Sequence, residues 1–294
     1  MLLKKAIEGF LLQKSIEGLS QRTLETYEYQ LRRLADFLDN PTLTSVTTHD
    51  LKRFFHHFRS EYTPQRWSGD TSPLTGKTLR NYWIACRSFF AWAEEELEMP
   101  NPMAGITAPK TNSTKVEPFT EEEVKAMLRL RCGARAHNIL LVLLDTGIRS
   151  GELCGLKIKD VDLKTGKMHV LGKGNKERTC YLGNKVRQSL WRYINNREPN
   201  EPLFPLQSGR PLNVQQVWGI VSRIGKRANV ANARPHRFRH TFAIQFLRNG
   251  GDIFTLQMLL GHSSLEMVKH YARLAAIDAE QAHRRASPAD RWLR

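Results

Sequence analysis

Apolar residues recur at helical spacing through most of the chain. Ile7, Phe10, Leu11 and Leu12 predict a first helix over 2–17. Thr23, Tyr27, Leu31, Leu34 and Leu38 predict a second over 20–39, with Ser20 at its N-cap. A third begins near Thr48 and carries Leu51, Phe54, Phe55 and Phe58; a fourth, near Lys77 to Glu98, carries Tyr82, Trp83, Phe89, Phe90 and Trp92. Prolines at 100, 102, 109 and 118 then break the pattern, because proline fixes φ and lacks a backbone donor. This predicts a helical domain over 1–108, a linker over 109–118 and a second domain over 119–294.

The second domain opens on Thr120-Glu-Glu-Glu, the pattern of a capping box. An apolar run from Asn138 to Asp145 follows. Short runs at Leu156–Val161, Lys167–Leu171 and Arg178–Leu182 predict two or three strands, the last two flanking a tight turn at Gly172-Lys-Gly-Asn. Helical spacing then returns over 184–196, 213–229, 236–248, 252–260 and 263–270, with a short final helix near 275–286. The fold class predicted is mainly α, with a mixed, mostly helical second domain holding a small antiparallel sheet.

Composition adds a partner. The formal net charge is +16, and nearly all of the excess falls after residue 110. An imbalance of that size points to a polyanion such as nucleic acid. Arg22, Arg32, Arg66, Lys77, Arg80 and Arg87 are candidate phosphate contacts in the near-neutral first domain, where a solvated surface is the competing reading. The four cysteines form no CxxC pair and fit reduced thiols better than disulfides or zinc ligands. The absence of a membrane-length apolar run and of a signal-peptide pattern predicts a cytoplasmic protein.

The candidate chemistry lies in five short stretches. His236 and Arg239 are three apart on a helix opened by Pro235, so they share a face. A guanidinium holds two phosphate oxygens at once, and an imidazole moves a proton near neutral pH. A plain surface His/Arg pair has the same spacing. His236 and His240 match a zinc-binding helix in spacing, but Arg237 and Arg239 lie between them and disfavour a metal. Arg149 follows the turn Thr146-Gly-Ile, with Glu152 placed either to cap a helix or to orient the arginine. Lys173 sits at the predicted hairpin tip, where an ammonium can protonate a leaving oxygen, although exposed turn lysines are common and Lys176 competes. The spacing of a phosphate-binding P-loop is absent. Tyr271 fits a phenolic nucleophile or a core aromatic at a helix end, and His262 a hydrogen-bond donor or a C-cap residue.

In order, Thr-Gly-Ile-Arg-Ser-Gly-Glu-Leu (146–153), Gly-Lys-Gly-Asn-Lys-Glu-Arg (172–178), His-Arg-Phe-Arg-His (236–240), Leu-Gly-His-Ser-Ser (260–264) and Tyr271 resemble the tyrosine recombinase, or phage integrase, family, Xer-like members above all. The resemblance spans essentially the whole chain. It implies a SAM-like, four-helix core-binding domain ahead of a catalytic domain. It implies that Arg149 and Arg239 clamp the scissile phosphate, that Tyr271 attacks phosphorus to form a 3′-phosphotyrosyl link, and that Lys173 is the general acid. His236 assists as base and His262 bonds the phosphate. Neither cofactor nor metal is implied. The partners implied are double-stranded DNA at specific core sites and further recombinase subunits, as a tetramer of this chain or with a paralogue. In such a protein the segment near 275–286 docks on a neighbouring subunit, cis packing being the alternative. Met267, Val268 and Ala272-Arg273 depart from the residues Xer-type members often have there. The absence of an extra segment ahead of the first helices predicts that there is no arm-binding domain. Two other readings share parts of the pattern: a non-catalytic DNA-binding regulator and a type IB topoisomerase-like enzyme.

Overall fold

The computed structural model describes residues 1–65, 70–111, 117–172, 176–261 and 266–275, together with 283, 287 and 289. The chain divides into two compact units, Met1–Thr114 and Lys115–Arg294.

The first unit is built from α1 (Leu3–Ile16), α2 (Gln21–Phe37), α3 (Thr48–His56) and α4 (Gly76–Glu96). The Ser20 hydroxyl accepts from the Thr23 amide and opens α2, as the sequence predicts. Thr47, one residue before the expected start, caps α3 through a reciprocal pair with Asp50. The apolar stripes meet in a core of Leu3, Ile7, Phe10, Leu31, Leu34, Leu51, Phe54, Phe89 and Phe90. Phe10 and Phe89 pack edge to face, centroids 5.5 Å apart. Leu12 faces away from this core and is 65 % exposed, because five residues along a helix from Ile7 turn it to the far side. Part of the proline-rich stretch packs back on this unit. Met99 and Met103 are buried, Trp83 Nε1 donates to Ile106 O and Thr48 Oγ1 donates to Pro102 O.

The second unit contains α5 (Glu121–Arg129), α6 (Ala134–Thr146), α7 (Ser150–Gly155), β1 (Lys167–Leu171), β2 (Glu177–Tyr181), α8 (Asn184–Ile194), α9 (Val214–Arg227), α10 (Pro235–Arg248), α11 (Ile253–Leu260) and α12 (Glu266–Ala275). The Thr120 capping box forms: the Thr120 amide donates to Glu123 Oε2 at 2.9 Å, and the Glu123 amide donates to Thr120 Oγ1 at 3.2 Å. The apolar run at 138–145 becomes α6, with Ile139, Leu140, Val142 and Leu143 buried. β1 and β2 pair antiparallel in the register Leu171↔Glu177 to Lys167↔Tyr181.

The expected strand at Leu156–Val161 is not one. Asp160 Oδ2 accepts from the Lys157 amide and closes a 3-10 turn over Ile158–Asp160. Only single bridges remain at its ends, Lys157 to Pro202 and Val161 to Met168. α12 also differs from its expected span of 263–270: it continues to Ala275, so Tyr271 lies within a helix and not at its end. The predicted helix near 275–286 falls almost wholly outside the described residues. Among the described residues, no helix is long and apolar enough to cross a membrane.

Candidate active site

Arg149 is delivered by a helix end. α6 stops at Gly147, whose φ of 61° is left-handed. A Cβ there would lie 2.6 Å from Phe242 Cδ1, so both the backbone and the packing require glycine. Arg149 follows as the N-cap of α7. Its amide donates to Glu152 Oε2 at 2.7 Å and its Nη1 donates to Glu152 Oε1 at 2.9 Å. Glu152 thus both caps the helix and orients the guanidinium.

Glu152 has a second arginine. Arg178 on β2 donates Nη1 to Oε1 and Nη2 to Oε2, each at 2.8 Å, and its Nε donates to Leu259 O at 2.8 Å. Burial would raise the Glu152 carboxyl, but the hydrogen bonds from Arg178 and the Arg149 amide, with the charge of Arg178, hold it below its ordinary value. Burial would lower Arg178, and Glu152 raises it instead. One carboxylate therefore fixes two cations from separate motifs, and Arg178 ties them to the end of α11.

Pro235 stands in the first turn of α10, where its missing N–H costs nothing. One turn on, Arg239 is only 1 % exposed. Its Nη1 donates to Gly147 O and its Nη2 to Leu260 O, both at 2.8 Å. Two of its five donors therefore hold the turn before Arg149 and the end of α11. Burial, and then the neighbouring charge of Arg149, push its pKa down to about 10.

Tyr271 completes the described part of the site. It is 5 % exposed and packs with Ala243, Ile244, Leu247, Leu256, Leu260 and Val268. Burial raises its phenol above the ordinary value, against the pull of Arg239 and Arg149. Its Oη lies 2.8 Å from Nδ1 of His240. His236 is exposed, and its ring meets that of His240 edge to face with centroids 4.5 Å apart.

The structure therefore brings Arg149, Arg239 and Tyr271 together, with His236 alongside. Lys173 and His262 lie outside the described residues. The glycines before them are described, and both lie against Arg178. A Cβ on Gly172 would meet Arg178 Nη1 at 3.4 Å, and one on Gly261 would meet Arg178 Cδ at 3.1 Å. Two residues carry more here than the sequence reading gave them. In sequence, His240 stands out only as a zinc possibility and as the last residue of a motif, and Arg178 only as part of a motif. Strand alternation was the available signal for Arg178: it shares a face with buried Cys180, and an arginine on a buried face requires an acid. Among the described residues, no group of three or more His, Cys, Asp or Glu side chains is arranged to hold a metal.

The phage integrase family model matches residues 117–277, and the phage integrase N-terminal SAM-like domain matches residues 7–96. Tyrosine recombinase XerC of Staphylococcus carnosus is 31% identical over 299 residues, covering 97% of this chain and 98% of the relative. Tyrosine recombinase XerA of Pyrococcus furiosus is 31% identical over 290 residues, covering 96% and 94%. In fold, the chain is similar to the Tn1549 transposon integrase in complex with transposon right end DNA, with a TM-score of 0.78 at 20% identity and coverage of 97% and 99%. It is also similar to a lambda integrase dimer bound to a core site, with a TM-score of 0.74 at 18% identity and coverage of 91% and 97%. With both of its units matched and its relatives covered nearly end to end, the chain belongs to the phage integrase family, the tyrosine recombinases.

Proposed function

We propose that this protein is a site-specific DNA recombinase that cuts and rejoins strands through a 3′-phosphotyrosyl link at Tyr271. The observation that carries the reading is the meeting of three distant segments: Arg239 on α10 donates to Gly147 O, two residues before Arg149, and to Leu260 O, and Leu260 packs in the cluster that buries the Tyr271 phenol on α12. Two guanidiniums beside one phenol suit an in-line attack on a phosphodiester. The cations hold the non-bridging oxygens and stabilise the charge of the pentacoordinate transition state, while the phenol supplies the nucleophile. Glu152 presents Arg149 to the phosphate. Lys173 is the general acid for the 5′ oxygen, His262 bonds the phosphate, and His236 assists from the exposed first turn of α10. The phosphodiester's energy is conserved in the covalent link, so a 5′ hydroxyl from a partner duplex reverses the step and gives strand exchange. A regulator without catalysis would have no use for a phenol held beside two arginines.

The substrate is double-stranded DNA, and the reaction takes place in the cytoplasm on a tetramer of recombinase subunits. An apolar hollow of about 500 Å³, lined by Leu144, Phe242, Phe246 and Leu259, supports docking of a neighbouring copy's C-terminal segment on this unit. Phe254 and Met258, 65 % and 75 % exposed on α11, extend the apolar surface. The biological setting is chromosome-dimer resolution or movement of an element. The test of the chemistry is a suicide duplex carrying the recombination site, nicked so that the cleaved end diffuses away. The wild-type protein is expected to form a covalent adduct and Tyr271→Phe none, with DNA affinity equal in both. Binding without an adduct on a verified site refutes the assignment.

A further inference from the structure

His240 directly follows Arg239 and lies one turn beyond His236 on the same face of α10. α12 brings the Tyr271 phenol to it: Nδ1 and Oη are 2.8 Å apart, and the ring centroids 5.6 Å. The two imidazoles differ in setting. His236 is exposed and His240 half-buried, beside a phenol that is itself 5 % exposed. A phenolic nucleophile needs a proton acceptor within hydrogen-bond reach, and His240 has that reach in the protein without DNA.

We propose that His240, rather than His236, takes the phenolic proton when Tyr271 attacks the phosphodiester. With Nε2 carrying the ring proton, the phenol O–H donates to Nδ1. As the bond from Oη to phosphorus forms, the bond from phosphorus to the 5′ oxygen breaks. The phenolic proton passes to Nδ1, and the 5′ oxygen leaves with a proton from the general acid. His240 is then an imidazolium whose Nδ1–H donates to the bridging oxygen. Religation runs the same path backwards, His240 returning the proton to the departing phenolate. No oxidant, metal or further reactant enters. His236, at the exposed edge, is left to face the phosphate and to support the His240 ring. Among the described residues, the charged groups that act on the phenol are Arg239 on α10 and Arg149 ahead of α7, and His236 meets the His240 ring. Burial raises the phenol above its ordinary value, so little phenolate forms near neutral pH without an acceptor.

The inference rests on Tyr271 being the nucleophile. It is tested by single-turnover cleavage of the suicide duplex across the histidine titration range with wild type, His240→Asn, His236→Gln and Tyr271→Phe. Asparagine keeps a hydrogen-bonding atom near the place of Nδ1 but cannot take the proton. The wild-type rate is expected to rise with pH and level off. His240→Asn should be slower by about 10²- to 10⁴-fold, lose that inflection and keep rising into alkaline pH, with DNA affinity and melting temperature retained. His236→Gln should be slower with the inflection kept. His240→Gln serves if His240→Asn fails to fold. An unchanged rate in the His240 variant, a faster one, or a slower one with the wild-type inflection overturns the proposal. If wild type itself gives no adduct that Tyr271→Phe abolishes, the nucleophile assignment fails and this inference falls with it.

Discussion

Glu152 accepts four hydrogen bonds from Arg149 and Arg178 while its side chain is 5 % exposed. Removing one partner of such a buried set leaves uncompensated charge, at a cost of about 3 kcal/mol. Glu152→Gln is therefore expected to lower the urea midpoint at neutral pH and to slow cleavage through a loosened Arg149. The pH dependence has a definite sign. The folded carboxyl lies below its ordinary value of 4.5, so its stabilisation is fully present above that value and is lost as pH falls through the lower folded value. Urea midpoints of wild type and Glu152→Gln should differ by a constant amount near neutral pH and converge in acid; a gap that persists at the acid end contradicts the assignment. Residues with polar chemistry at motif spacing were legible from sequence alone. Arg149, Arg239, His236 and the orienting Glu152 all stood out. The roles of Arg178 and His240 were not legible, because each depends on a partner far along the chain: Glu152 for one and Tyr271 for the other.

At the scale of elements, helix ends rather than helix bodies position the site. Gly147 ends α6, and its carbonyl holds Arg239; Leu260 ends α11, and its carbonyl holds the same guanidinium. Gly147→Ala would force a side chain onto a left-handed φ of 61° and a 2.6 Å approach to Phe242. A stability loss of about 1–3 kcal/mol is expected, with slower cleavage at unchanged DNA affinity; thermal melting and single-turnover assays check both. An alanine variant as stable and as fast as wild type would show that the turn tolerates displacement. Caps were the most readable signals: Ser20, Thr120 and Pro235 all act as the sequence predicts. Leu156–Val161 misled because its apolar spacing suits a strand, whereas Asp160 captures the Lys157 amide and turns the backbone locally. The length of α12 was hidden because Met267-Val268 leave no break before Tyr271.

Across the whole molecule, the prolines from 100 to 118 interrupt the helical pattern in the stretch where the chain divides into two compact units, and a charge of +16 concentrated after residue 110 points to a polyanion partner. A docking surface for the proposed assembly is the feature least legible in sequence, since the hollow around Phe242 and Phe246 is made by four elements at once. Deleting residues from Asp278 onward is expected to leave binding of a single subunit to DNA intact and to reduce formation of higher complexes in gel-shift and light-scattering measurements. Unchanged assembly would place the tail in cis. The central claim is the identity of the nucleophile, and the direct measurement is mass spectrometry of the protease-digested adduct from the suicide duplex. The account predicts a peptide containing Tyr271 joined through its phenolic oxygen to a DNA 3′ phosphate. Attachment at another residue, or to a 5′ phosphate, would contradict it.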